Sequence, residues 1–277
     1  MGKSVLCAIS HGLYDPWIAI LHDGQELTWL TSPRPQGFEV VHFHGTPVSK
    51  MWKNVDKIHE RIRWSTRKKA ALLKILDFFL TLPLMEYDAT YSKSELLSTR
   101  DLSVHTHFPD TYLTYRWKEL AFFKYFIQET DCEYLFLTST SSYVRPSKLM
   151  EFIQSLPSTK VYAGALPYKD ANFVSGSNRI LSRDVVEAVL AKSKSFNPTI
   201  IEDVALGRVI LGMGITPILH PLFNIADMGE LLNTSDNDLM ESYHFRLKSG
   251  ALDNRGDIEI MIALHERILE LEVRNVG

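Results

Sequence analysis

The 277 residues carry thirty Lys and Arg against thirty-three Asp and Glu, a formal charge of −3, and 45% of them are apolar. That apolar share supports a sizeable core and excludes a disordered or fibrous chain, while the near-balanced charge supplies no field for nucleic acid. Cys7 and Cys132 are the only cysteines, too few for a disulfide framework or a thiolate zinc site, so the expected setting is reducing and cytoplasmic. The apolar run at the N-terminus stops at His11, short of a signal peptide, and no run reaches the roughly 20 residues that cross a bilayer.

In chain order, Val5 to Ser10 is a short apolar run expected to form a buried strand, and Leu27 to Leu30 a second, edge strand. Glu39 to His44 reads as a third strand with histidines two apart. From Lys50 to Lys74 nine basic residues face only Asp56 and Glu60, and apolar spacing continues through Leu80 until Pro83 stops it. This basic stretch, 50–80, is expected to be amphipathic helix. It is open to two readings: a solvated face on a core helix, or peripheral contact with the inner face of an anionic membrane.

Leu102 to His107 reads as a strand, Trp117 to Glu129 as a helix, and Glu133 to Thr138 as a strongly apolar strand running into Thr138-Ser-Thr-Ser-Ser142. Pro146 to Leu156 follows as a helix with proline in its first turn. Then come a strand (Val161 to Leu166), a helix (Asp184 to Ser193), a glycine-interrupted helix (Ile201 to Met213), a strand (Thr216 to Leu219) and a last helix (Ile258 to Val273). Strands alternating with helices and no linker predict one α/β domain over 1–277 with a mostly parallel sheet.

Two pairs, His42-Phe-His44 and His105-Thr-His107, each put two imidazoles on one strand face. If neighbouring strands joined all four, the chain would be a zinc-binding hydrolase. The bland reading is hydrogen-bonded structural histidine.

Four segments in order carry a resemblance: Phe108-Pro-Asp-Thr-Tyr-Leu-Thr-Tyr-Arg-Trp-Lys118, the strand Tyr134-Leu-Phe-Leu137, Val174-Ser-Gly-Ser-Asn-Arg-Ile-Leu-Ser-Arg-Asp184, and Ile201-Glu-Asp-Val-Ala-Leu-Gly207. Over roughly residues 105 to 220 they resemble the β1,3-galactosyltransferase and Fringe type of glycosyltransferase. That resemblance implies a GT-A-like, Rossmann-like domain, with 1–140 as the nucleotide-sugar half and 141–277 as the acceptor-binding and catalytic half. It implies an inverting transfer from a nucleotide-sugar, UDP being the nucleotide, to a glycan or glycolipid hydroxyl. It also implies Asp203 as base, Glu202 as its acceptor-orienting partner, and Ser175, Gly176 and Ser177 as the loop beside donor sugar and acceptor. The implied donor side is Ser10, Asp110, Arg116, Lys118, Thr138, Ser139 and Thr140. A non-catalytic relative that only binds sugar or nucleotide has the same segments.

One departure is large. The family's Asp-rich metal motif is replaced by Thr138-Ser-Thr-Ser-Ser142, and hydroxyls without a carboxylate hold Mg²⁺ or Mn²⁺ poorly. No metal cofactor is therefore expected. Charge on the leaving diphosphate must then meet fixed cations. Tyr243-His-Phe-Arg-Leu-Lys248 offers them: if extended, it presents His244, Arg246 and Lys248 on one face.

Overall fold

A computed structural model describes residues 2–48, 91–94, 100–111, 114–196, 200–249 and 255–276. The basic stretch 50–80 lies outside the described residues. Among those described, no helix is long and apolar enough to cross a membrane.

The chain opens with β1 (Val5–His11), every residue of which is buried, then α1 (Trp17–Ala19), which continues as a π-helical turn over Ile20–Gln25. β2 (Phe38–Thr46), β3 (Tyr91–Ser94) and β4 (Leu102–Pro109) precede α2 (Tyr115–Glu129). β5 (Tyr134–Ser139) and β6 (Ser142–Val144) lead into α3 (Pro146–Ser155), and β7 (Tyr162–Gly164) and β8 (Asn178–Ser182) into α4 (Arg183–Ala191). Next along the chain are α5 (Glu202–Leu211), β9 (Ile218–Leu219), β10 (Phe223–Asn224), α6 (Met228–Asn233), α7 (Asp236–Glu241), β11 (His244–Arg246) and α8 (Asp257–Val276).

Eight strands form one sheet in the order β3-β4-β2-β1-β5-β8-β7-β9, with β4, β2, β1 and β5 mutually parallel and β3 and β8 reversed. The chain is thus an α/β domain with a largely parallel central sheet. Buried apolar residues cover both faces: Val5, Cys7, Ile9 and Phe136 on one, Leu6, Ala8, Leu135 and Leu137 on the other. That is why these strands read as continuous apolar runs. A small sheet, β10-β11-β6, adjoins this one through β6.

Leu27 to Leu30 is not a strand. Thr28 Oγ donates back to Gly24 O at 2.8 Å, and Trp29–Thr31 closes a 3₁₀ turn, so the local hydroxyl bond prevails over β propensity. Side chains of this segment anchor the backbone beyond β5. Gln25 Nε2 donates to Thr140 O at 3.0 Å and to Ser142 O at 3.2 Å, and Trp29 Nε1 donates to Ser142 O at 3.1 Å. The hydroxyl-rich stretch after β5 is thereby fixed in place.

Candidate functional site

Strand order reverses direction between β1 and β5, whose ends align at Ser10 and Ser139. In open α/β sheets ligands collect outside the carboxyl ends of strands at such a switch point. A cavity of about 340 Å³ lies there, touched by Ser10, Ser139 and Thr140 from those two strand ends. That volume suits a small-molecule ligand.

Ser175, Gly176 and Ser177 form a second part of the lining, beside Glu202 and Asp203. A Cβ on Gly176 would stand 3.3 Å from Glu202 Oε1 and 3.7 Å from Asp203 Cβ, so glycine is what lets this loop lie against the carboxylates. α5 itself comes close through Gly207, where a Cβ would meet Phe173 Cβ at 2.6 Å; this glycine leaves the helix intact and serves packing. Both carboxylates sit in the first turn of α5, where the dipole favours anions. Asp203 Oδ1 accepts from Val204 N at 2.8 Å. Burial, then the carboxylates of Asp203 and Glu119, push Glu202 up to about 8, so near pH 7 it holds its proton and can donate. Beneath them Arg179, from β8, pairs with Glu119 in the core.

Asp110 and Lys118 also line the cavity. Lys118, expected on the donor side, is buried: Nζ donates to Asp110 Oδ1 at 2.7 Å and His11 O at 3.2 Å, and stands 4.8 Å from the Tyr115 ring centroid. Its charge is matched by Asp110, so it adds little net positive potential. Arg116 is carried to the other side of the same helix turn; it is buried, stacks 5.2 Å from the Trp117 ring, and does not line the cavity.

The cations come from the small sheet. β6 and β11 pair antiparallel with Arg246 opposite Ser142, and Leu247 N donates to Ser141 O at 2.7 Å. This register sets Arg246 and Lys248 next to the hydroxyl loop, and both line the cavity. Burial and the charges of Arg246 and Arg255 lower Lys248 from its ordinary value. His244 does not join them. It is fully buried and pushed down to about 3, chiefly by burial and then by Arg246, so it is neutral. Its Nε2 lies 3.4 Å from Thr138 Oγ, which itself donates to Ser177 O at 3.0 Å. Thr138 and His244 thus tie the loops together behind the cavity, and neither lines it.

The hydroxyl loop does not suit a divalent cation. Ser139 and Ser142 hydroxyls meet at 3.2 Å, and Ser141 Oγ accepts from Arg255 Nη2 at 2.7 Å, which sets a guanidinium beside the oxygens. Among the described residues no group of three or more His, Cys, Asp or Glu could hold a metal. The histidine pairs do not make a common site. His42 turns to His11, Nδ1 to Nε2 at 2.7 Å, whereas His44 stacks on His105 at 5.1 Å, and His105 Nε2 meets Thr46 Oγ at 3.2 Å. The hydrolase expectation loses its ligand set because the register sets His42 opposite Ser103, where it bonds His11, while His44 and His105 lie opposite each other as stacked rings rather than converging on one point. Several lining residues were not singled out from sequence: His11, Tyr14, Trp17, Tyr115 and Ser141. The first three lie at or just after the end of the first strand, where the switch-point rule would have found them.

No family model and no curated protein matches the chain. Among solved structures, it is similar to the mannosyltransferase PcManGT from Pyrobaculum calidifontis in complex with GDP-Man and Mn²⁺, at 12% identity and a TM-score of 0.40, over 80% of this chain and 55% of that one. It is also similar to mouse xyloside xylosyltransferase 1 in its apo form, at 9% identity and a TM-score of 0.36, over 89% and 97%. The chain spans about half the length of the mannosyltransferase.

Proposed function

We propose that this chain is a glycosyltransferase that moves a sugar, with inversion, from a nucleotide-sugar donor, a UDP-sugar, to a hydroxyl of a glycan or glycolipid acceptor, without a metal. The observation that carries this reading is one cavity holding Glu202 and Asp203 together with Arg246 and Lys248, at the strand ends where ligands of such sheets gather. Asp203 takes the proton of the acceptor hydroxyl as its oxygen attacks C1 of the donor; the bond from C1 to the diphosphate oxygen breaks on the opposite face. Glu202, protonated near neutrality, donates a hydrogen bond that orients the acceptor. Arg246 and Lys248 balance the charge that grows on the departing diphosphate. The Ser175-Gly176-Ser177 loop lies against the sugar.

The setting that goes with this reading is cytoplasmic, and sedimentation with liposomes, with and without acidic lipid, tests whether 50–80 adds a membrane contact. The reaction itself is tested by screening UDP-, GDP-, CMP- and dTDP-sugars against acceptor mixtures in EDTA and in Mn²⁺. Transfer from a UDP-sugar in EDTA is expected. Transfer only from another nucleotide, or only after Mn²⁺, contradicts the donor or the metal-free chemistry respectively; binding without transfer under any condition favours the non-catalytic relative.

A further inference from the structure

Behind Ser10 a line of polar side chains runs out of the cavity through the sheet. Arg34 holds Asp101 with two parallel hydrogen bonds, Nη1 to Oδ1 at 2.6 Å and Nη2 to Oδ2 at 2.8 Å. His42 Nε2 faces Asp101 Oδ2 at 3.7 Å, beyond hydrogen-bond distance, and His42 Nδ1 meets His11 Nε2 at 2.7 Å. His42 is 0% and His11 1% exposed, and His11 lines the cavity. His11 Nδ1 is buried and has no hydrogen-bond partner among the described residues. A buried polar atom left in this way is either costly or kept for a ligand.

The chain fixes which kind of ligand group that atom accepts. Beside a carboxylate, the favoured edge of the His42 ring is its N–H, so Nε2 carries the proton and Nδ1 a lone pair. With the His42 ring neutral, the 2.7 Å contact requires His11 Nε2 to donate, which leaves Nδ1 of His11 as a bare acceptor. Burial, above all, and the Lys118 charge hold His11 well below the ordinary histidine range, which keeps the ring neutral.

We propose that Asp101 and His42 act as positioning residues that lock His11 as the Nε2–H tautomer, and that His11 Nδ1 reads a hydrogen-bond donor, N–H or O–H, on a nucleoside diphosphate in this cavity. The nucleotide rests on the function proposed above; the tautomer lock does not. The donor has two sources, the imino N–H of the base or a ribose hydroxyl. Placing an acceptor or a methyl group there leaves Nδ1 unpaired in the core and weakens binding on the order of tenfold or more.

The test has two arms. In ¹⁵N-histidine-labelled protein, with the His11 signals assigned by loss in His11→Gln, the neutral Nε2–H pattern is expected, moving toward a tautomer mixture in Asp101→Asn and restored in Asp101→Glu. Calorimetry then compares UDP with N3-methyl-UDP, 2′-deoxy-UDP and 3′-deoxy-UDP. One analogue should lose about tenfold in affinity, naming the donor, and Asp101→Asn should shrink that difference without touching the cavity. A protonated Nδ1 on His11 overturns the lock. The correct tautomer with all three analogues binding as UDP does overturns the reading of a donor group. The correct tautomer with no UDP binding leaves the lock standing and overturns the nucleotide, and with it the function proposed above.

Discussion

The carboxylates and the cations of the cavity are built in opposite ways. Glu202 and Asp203 stand on a ten-residue helix, braced by Gly176 and backed by the core pair Arg179 and Glu119. Arg246 ends a three-residue strand, and Lys248 lies beyond it, exposed at the rim. Burial therefore tunes Glu202: it holds a proton on that carboxyl near neutrality. Arg246 needs only position, because a guanidinium keeps its charge almost anywhere, whereas Lys248 is lowered by burial and by Arg246 and Arg255. His244 makes the same point from the inside, since at the buried start of that strand its charge is removed altogether. Chemistry that depends on a shifted proton sits on a half-buried helix start backed by the core pair, and chemistry that depends on a fixed charge sits at the edge.

That contrast is open to attack at graded cost. Asp203→Asn keeps shape and removes proton acceptance, so turnover should fall on the order of 10²-fold or more with donor affinity little changed. If affinity collapses instead, Asp203 holds the donor or caps the helix. Arg246→Ala and Lys248→Ala should each remove about 2 to 4 kcal/mol of transition-state stabilisation, read as turnover with the KM for an uncharged acceptor nearly constant. A change confined to KM would make them simple binding residues.

Glu202→Gln should cost less than either, because the amide still donates. Its signature is in the pH profile. The folded group titrates near 8, so in the wild type activity should fall as pH rises through that value and the protonated donor is lost; the Gln variant should keep its rate there. The same shift has a sign in stability: between the ordinary 4.5 and about 8 the folded state binds more proton than the unfolded one, so rising pH destabilises the fold. Denaturant titrations at pH 5 and pH 9 should show that loss in the wild type and less of it in Glu202→Gln. The smallest effect concerns His244. Its folded value near 3 against 6.5 means that stability is lost as pH falls below about 6.5, the opposite direction, and His244→Gln should flatten that limb.

The parallel strands were legible because both faces of β1, β2 and β5 are buried and leave long apolar runs. β8 was not, since Arg179 interrupts its pattern, and only the structure reveals Glu119 waiting for it. The three-residue strands β6 and β11 are too short for any periodicity, so the sequence could offer Arg246 and Lys248 as cations without saying that their register sets them at the hydroxyl loop. Lys118 shows the other limit: the family resemblance put it on the donor side, but its burial against Asp110 depends on the fold of β4 and α2 together. Alternation likewise put His244 on the same face as Arg246 but carried no information about depth.

The double variant Arg246→Ala, Lys248→Ala, assayed for sugar transfer in EDTA beside the wild type, bears most directly on a diphosphate balanced by side chains. Wild-type activity should survive EDTA, and the double variant should lose at least as much turnover as the worse single one, on the order of 30-fold or more. Full activity of the double variant in EDTA, or wild-type activity abolished by EDTA and restored by Mn²⁺, would contradict it.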